Sequence, residues 1–225
     1  MFLFKKIYNS RILKNIRNYF RTLRLIKKSE GQLNAQTEEG RLLFDFIKNN
    51  NFDTVLEIGT WNGLGSTKVI IDALSSNKSS KFYSIETDRI AFKNAKKNLK
   101  NEKVNLLYGR ILEVNELPDK QEIDFEFFGF DPKNIEWYIQ DVRRYKRTKN
   151  IYDTLPSKFD FILFDGGEFS TFAEFNKLYF KTKYFALDDI NTYKQYEVIK
   201  FINMNPGKFS EIIRIENFSI YEYLN

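Results

Sequence analysis

A glycine-rich loop and four acids carry most of the chemistry this chain can do. The run Val55-Leu56-Glu57-Ile58-Gly59-Thr60-Trp61-Asn62-Gly63-Leu64-Gly65-Ser66 joins a short apolar strand to an acid and three closely spaced glycines. A helix-like stretch, Ser66–Leu74, follows. A strand that turns sharply into a helix points backbone N–H groups into a crevice at the strand's carboxyl end, where open α/β sheets bind ligands. The glycines let the turn take positive φ and let a ligand approach the backbone. The next strand closes in Tyr83-Ser84-Ile85-Glu86, 21 residues after Gly65. A carboxylate there can accept hydrogen bonds from both hydroxyls of a ribose. Two later strands also end in acids: Asp165 in Phe161-Ile162-Leu163-Phe164-Asp165-Gly166-Gly167-Glu168, and the pair in Phe185-Ala186-Leu187-Asp188-Asp189. Grouped carboxylates can bind Mg²⁺, Mn²⁺ or Ca²⁺.

Composition narrows the alternatives. The 225 residues include no cysteine and no histidine. Disulfides, thiol nucleophiles, imidazole bases and histidine metal ligands are all excluded. Any base is a carboxylate, Lys or Tyr, and any metal site is built from oxygen. The net charge of +6 is concentrated at one end. Residues 1–29 carry nine Lys/Arg and no acid, whereas the remainder carries 27 Lys/Arg against 30 Asp/Glu, a net of −3. The basic character therefore belongs to an arm and not to the domain, which argues against a nucleic-acid enzyme with a basic face.

Elements that could position these residues follow in order. Ile12, Ile16, Phe20 and Leu23 fall at helical spacing in the arm, among arginines and lysines, with no apolar run long enough to span a membrane or form a signal peptide. Thr37 with Glu38 and Glu39 suits a helix start. Strands are expected at Asp53–Glu57, Lys81–Glu86, Val104–Tyr108, Phe159–Asp165 and Tyr184–Leu187. They alternate with helices at Ser66–Leu74, Arg89–Leu99, Thr171–Phe180 and Thr192–Ile202. Ser210–Ile215 and Phe218–Tyr223 read as a closing hairpin turned by Glu216-Asn217. This rhythm predicts an α/β fold, doubly wound, with a mostly parallel sheet and a C-terminal antiparallel hairpin. Residues 1–29 form the arm and 30–225 the domain. An insertion at about 112–156 breaks the pattern, too long for an ordinary connection. It holds Phe125, Phe127, Phe128, Phe130 and Trp137 and a helix over Asn134–Tyr145, and reads either as a substrate lid or as a small packed subdomain.

The spacing Glu57-x-Gly59-x-x-x-Gly63-x-Gly65 resembles the first motif of class I S-adenosylmethionine-dependent methyltransferases, and differs from the dinucleotide fingerprint. The resemblance implies the seven-stranded Rossmann-like methyltransferase sheet. It places Glu57, Gly59, Thr60, Gly63, Gly65 and Ser66 around the methionine part and ribose of the cofactor, Glu86 on the ribose, and Gly109-Arg110 by the adenine. Asp165 and Asp188-Asp189, with the lead-in Thr37–Leu43, resemble the metal-dependent O-methyltransferases of the catechol and caffeoyl-CoA type. That implies Asp165, Asp188 and Asp189 as ligands of a divalent cation, with Asp165 and Asp188 catalytic. The chain departs from that group with Asp189 where Asn is usual, and with Gly166-Gly167-Glu168 where a small residue and a lysine are usual, so no base can be named.

The expected activity is therefore O-methylation of a small molecule or saccharide hydroxyl by S-adenosylmethionine, with Mg²⁺ as the candidate ion. The alternative is a protein that binds the cofactor without turnover and docks a partner through the insertion and arm. The loop Asp165-Gly166-Gly167-Glu168 lacks the prolines and aromatic residue with which nucleic-acid N-methyltransferases hold a flipped base. The basic arm, residues 1–28, could meet an anionic membrane surface, or pack on the domain or on a second copy in a homo-oligomer. A cytoplasmic location, peripheral on the inner membrane surface if the arm binds lipid, fits the missing signal sequence.

Overall fold

The computed structural model describes residues 31–121, 123 and 132–224, without the side chains of 132–134. The basic arm and Phe125, Phe127, Phe128 and Phe130 of the insertion lie outside the described residues. Thr37 starts α1 (Glu38–Asn50), its side chain accepting the Gly40 N–H at 3.2 Å. Then follow β1 (Thr54–Ile58), α2 (Ser66–Ala73), β2 (Lys81–Glu86), α3 (Arg89–Asn98) and β3 (Asn105–Tyr108). The insertion contributes α4 (Pro132–Arg147). The second half comprises β4 (Phe159–Phe164), α5 (Thr171–Leu178), β5 (Thr182–Asp188), α6 (Tyr193–Met204), β6 (Phe209–Arg214) and β7 (Phe218–Tyr223).

The sheet has seven strands in the order β3-β2-β1-β4-β5-β7-β6. The first five are parallel, and the hairpin is antiparallel, β7 pairing with β5 and β6 forming the edge. This is the expected architecture, with β7 folded between β5 and β6. Strand order reverses between β1 and β4, the chain winding from β1 to β3 on one side and from β4 to β5 on the other, and this opens the crevice at their carboxyl ends.

Both faces of the sheet are covered, so its strands are apolar on both sides. Val55, Phe161, Leu163 and Ala186 point to one face, against Leu43 and Ile47 of α1, Val69 and Ile70 of α2, and Ala95 of α3. Leu56, Ile162, Phe164 and Phe185 alternate to the other, against Tyr145 of α4, Phe175 and Leu178 of α5, and Val198 of α6. Ring contacts of Phe175 with Phe164, Phe185 and Phe209, at centroid distances of 5.4, 5.3 and 6.2 Å, tie α5 to the sheet. No helix among the described residues is long and apolar enough to cross a membrane.

Candidate functional site

The turn after β1 is pinned to its neighbours. The N–H groups of Gly59 and Thr60 both donate to the Ile85 carbonyl, at 3.0 and 3.1 Å. Gly59 has φ +100°, and a Cβ there would lie 2.0 Å from the Asp165 carbonyl oxygen. Only glycine satisfies both the backbone angle and this close approach to the end of β4. Gly63 also has positive φ, but a Cβ on it would meet Leu99 at the end of α3. Gly59, Thr60, Gly65 and Ser66 line the crevice.

Glu57 lies elsewhere. β1 runs one residue beyond the expected end, so Glu57 sits inside the central strand, paired with Ser84 and Leu163 on either side. It is fully buried. Its carboxylate accepts the hydroxyls of Ser66 at 2.6 Å, Thr67 at 2.7 Å and Ser84 at 2.5 Å. Burial pushes its pKa up to about 7 against the pull of these hydroxyls. The resemblance implied contact with the cofactor; in the structure the Glu57 carboxylate holds the start of α2 against β1 and β2.

Glu86 faces the crevice. Its two oxygens accept the N–H of Trp61 at 2.7 Å and of Asp88 at 2.6 Å. The carboxylate is thereby fixed at the mouth between the glycine loop and α3, with capacity left for further donors. Burial raises its pKa to about 7, opposed by the Asp88 and Trp61 amides. Asp88 caps α3, accepting the Ile90 and Ala91 N–H groups at 2.8 and 2.9 Å.

The insertion reaches the same crevice. Arg144 of α4 pairs with Asp88 at 3.1 Å and with Asp141 at 2.9 Å. Asp141, Arg144 and Tyr145 form part of the crevice lining, whereas Trp137, one of the expected lid aromatics, is 50% exposed and outside it. The Tyr145 hydroxyl donates to Glu174 of α5, which is buried and pushed up to about 7 by that burial. Of the pair after β3, Arg110 lines the crevice and donates to the Thr148 carbonyl at 3.1 Å, while Gly109 packs against Ile151.

The carboxyl ends of β4 and β5 bring Asp165, Asp188 and Asp189 together, with a ligand atom of each within 4.8 Å of the others. Asp189 has φ +59°, a left-handed conformation that Asp tolerates. A residue absent from the sequence-based reading joins them. Lys194, in the first turn of α6, places Nζ 2.6 Å from Asp165 Oδ1 and 2.8 Å from Asp189 Oδ2. Burial opposes its charge, but Asp165, Asp188 and Asp189 outweigh burial and raise its pKa. Asp188 is raised by burial first and then by the Asp165 charge. Gln195 fastens the two strand ends, its amide donating to the carbonyls of Phe164 at 2.8 Å and Asp188 at 3.1 Å.

Arg144, Tyr145, Glu174 and Lys194 are the site residues that sequence reasoning missed. Lys194 had one signal: a cation in a helix's first turn faces the positive end of the macrodipole, and calls for nearby acids.

The glycine turn, Glu86 and the acids at β4 and β5 sit at one end of one sheet, in a crevice of about 660 Å³. Together they define the methyltransferase type of α/β fold. Solved structures agree on that fold. An O-methyltransferase from Bacillus cereus in complex with S-adenosylhomocysteine is 14% identical, with 91% of each chain covered and a TM-score of 0.58. The O-methyltransferase TomG of tomaymycin synthesis in Streptomyces achromogenes, in complex with S-adenosylmethionine, is 15% identical over 83% of this chain and 80% of its own, with a TM-score of 0.53. A methyltransferase from Podospora anserina, bound to S-adenosylhomocysteine, is 10% identical over 83% and 78%, also at 0.53. No protein-family model matches the chain, and no curated protein matches it in sequence.

Proposed function

We propose that this protein transfers a methyl group from S-adenosylmethionine to a hydroxyl of a small molecule or saccharide. The observation that carries the proposal is Glu86, held by the N–H groups of Trp61 and Asp88 so that its remaining lone pairs face the crevice. These acceptors fit the ribose hydroxyls of the cofactor. Gly59, Thr60, Gly65 and Ser66 would hold the part of the cofactor nearest β1, and Arg110 with Ile111 the end beyond β3. When bound, the cofactor supplies an electrophilic methyl sulfonium, so the protein's task is alignment and an ionised nucleophile.

Asp165 and Asp188 line the crevice at the acceptor end. In this reading Asp188 accepts the proton of the substrate hydroxyl, and Asp165 orients it. The Asp165, Asp188 and Asp189 donor set does not fit Mg²⁺ while Lys194 is in place, because two of its three carboxylates already share the Lys194 ammonium. No step is therefore assigned to a metal.

Calorimetric titration with S-adenosylmethionine and S-adenosylhomocysteine tests the proposal. Saturable binding that is lost in Glu86→Ala is expected. No binding of either compound by the full chain overturns the proposal, and binding without turnover on any hydroxyl acceptor would favour partner docking instead.

A further inference from the structure

We infer that the Lys194 ammonium takes the place of a divalent cation in the cluster of Asp165, Asp188 and Asp189, and that this site works without a metal. The geometry carries the inference. Three carboxylates from the ends of two neighbouring strands converge within 4.8 Å, a spread that one cation spans. An ammonium from α6 is already there, at 2.6 and 2.8 Å from two of them. It is not a loose surface pair: the Lys194 side chain is only 6% exposed, and Asp165 and Asp189 are 22% and 24% exposed. Its backbone is held too, its N–H donating to Glu168 Oε1 at 3.2 Å, and Gln195 ties the following residue to both strand ends.

The arrangement is self-consistent electrostatically. Buried carboxylates need a counter-charge or hydrogen-bond donors. Lys194 supplies both, two of its N–H donors reaching Asp165 Oδ1 and Asp189 Oδ2. A metal bound to the same oxygens would lie against a largely buried ammonium already paired with them, so the two cations exclude each other. Lys194 does not itself line the crevice, whereas Asp165, Asp188 and Asp189 do. It is a positioning residue: it neutralises and orients the acids that face the substrate. Resting here on the methyltransferase reading, the inference also bears on the acceptor. A substrate that must chelate a metal through two adjacent oxygens would find none, so a single hydroxyl placed against the carboxylates suffices.

The test titrates Mn²⁺ into the full chain and reads bound ion by electron paramagnetic resonance, with S-adenosylhomocysteine affinity measured on the same samples. Wild-type protein is expected to leave Mn²⁺ free, and its S-adenosylhomocysteine affinity to be unchanged by EDTA. Lys194→Met, which keeps the length of the side chain and removes its charge, is expected to gain a Mn²⁺ site at least ~10-fold tighter than any in the wild type. Adding Asp188→Asn to it should abolish that site. Lys194→Gln serves the same purpose if the methionine variant fails to fold by circular dichroism. Stoichiometric Mn²⁺ binding by the wild type, lost in Asp188→Asn, overturns the inference. So does a folded Lys194 variant that binds no Mn²⁺. If the Mn²⁺ pattern holds but S-adenosylhomocysteine does not bind, the methyltransferase reading fails and the assignment of the site stands.

Discussion

The backbone N–H of Trp61 donates to the Glu86 carboxylate at 2.7 Å, locking the loop after β1 to the end of β2. Trp61 adopts φ +51° to do so, a left-handed backbone that a bulky residue rarely takes. Such strain persists where the surroundings impose it, and it gathers at ligand sites. Replacing Glu86 by Ala removes the acceptor for two backbone amides and, in the proposed complex, for the ribose. Two charge-assisted hydrogen bonds to a ligand are worth ~1.5–3 kcal/mol each, so a loss of ~10²-fold or more in S-adenosylhomocysteine affinity is expected. Calorimetry measures it, and an affinity within a few-fold of wild type would remove Glu86 from the binding site.

In the proposed complex the same residue would give cofactor binding a pH dependence. Burial lifts Glu86 from 4.5 to about 7. Only the ionised form accepts two hydroxyls at full strength. Affinity for S-adenosylhomocysteine is therefore expected to rise with pH through about 7 and to level off above it. In Glu86→Gln this rise should vanish along with part of the affinity. A flat wild-type profile across neutral pH would contradict this role.

What could be read from the sequence was what is local. The spacing of Gly59, Gly63 and Gly65, the apolar strands, Glu86 at the end of β2 and the final hairpin all follow from short-range pattern and turn chemistry. Asp165, Asp188 and Asp189 could be placed at strand ends for the same reason. Glu57 was expected as the last residue of β1, and the strand runs one residue further, to Ile58. Arg144, Tyr145 and Glu174 were out of reach, and Lys194 had only a weak local signal, because each acts through a partner far along the chain. Arg144 meets Asp88 across 56 residues, and Lys194 meets Asp165 across 29. Only packing of α4 and α6 on the sheet creates those pairs.

Gly59 provides a structural test of the loop. Its φ of +100° and the 2.0 Å approach of a Cβ to the Asp165 carbonyl leave no room for a side chain. Gly59→Ala should cost at least about 3 kcal/mol, since strain and a backbone clash add. Gly207→Ala is the control: a Cβ there meets nothing within 4 Å, and a change within ~0.5 kcal/mol is expected. Urea unfolding of the two variants should separate them clearly, and equal midpoints would refute the close approach.

Buried acids also set how stability responds to pH. Glu57, Glu86 and Glu174 are each lifted to about 7, in every case chiefly by burial. An acid whose folded value lies above its unfolded one holds its proton more tightly in the folded state. The stability it contributes is complete below the unfolded value of 4.5 and is lost as pH rises through about 7. The urea midpoint is therefore expected to be higher at about pH 5 than at about pH 8. Glu57→Gln removes one of the three groups and should flatten the curve. A midpoint that rises over this interval would show that the Glu57 carboxylate stays ionised in the folded state, held by its three hydroxyl partners.

The basic arm can be tested apart from the site. Gly31, Gln32 and Leu33 line the crevice and lie outside the deletion, so removing residues 1–28 keeps these lining residues. Cofactor affinity is expected to be unchanged by the deletion. The nine positive charges of residues 1–29, with no acid among them, are the feature that would attract an anionic bilayer. Each contributes about 1 kcal/mol near such a surface at low ionic strength, so the full chain should sediment with phosphatidylserine-containing vesicles and release as salt is raised. The shortened chain should remain in the supernatant. Equal sedimentation of both forms would mean that lipid contact, if present, belongs to the domain and not to the arm.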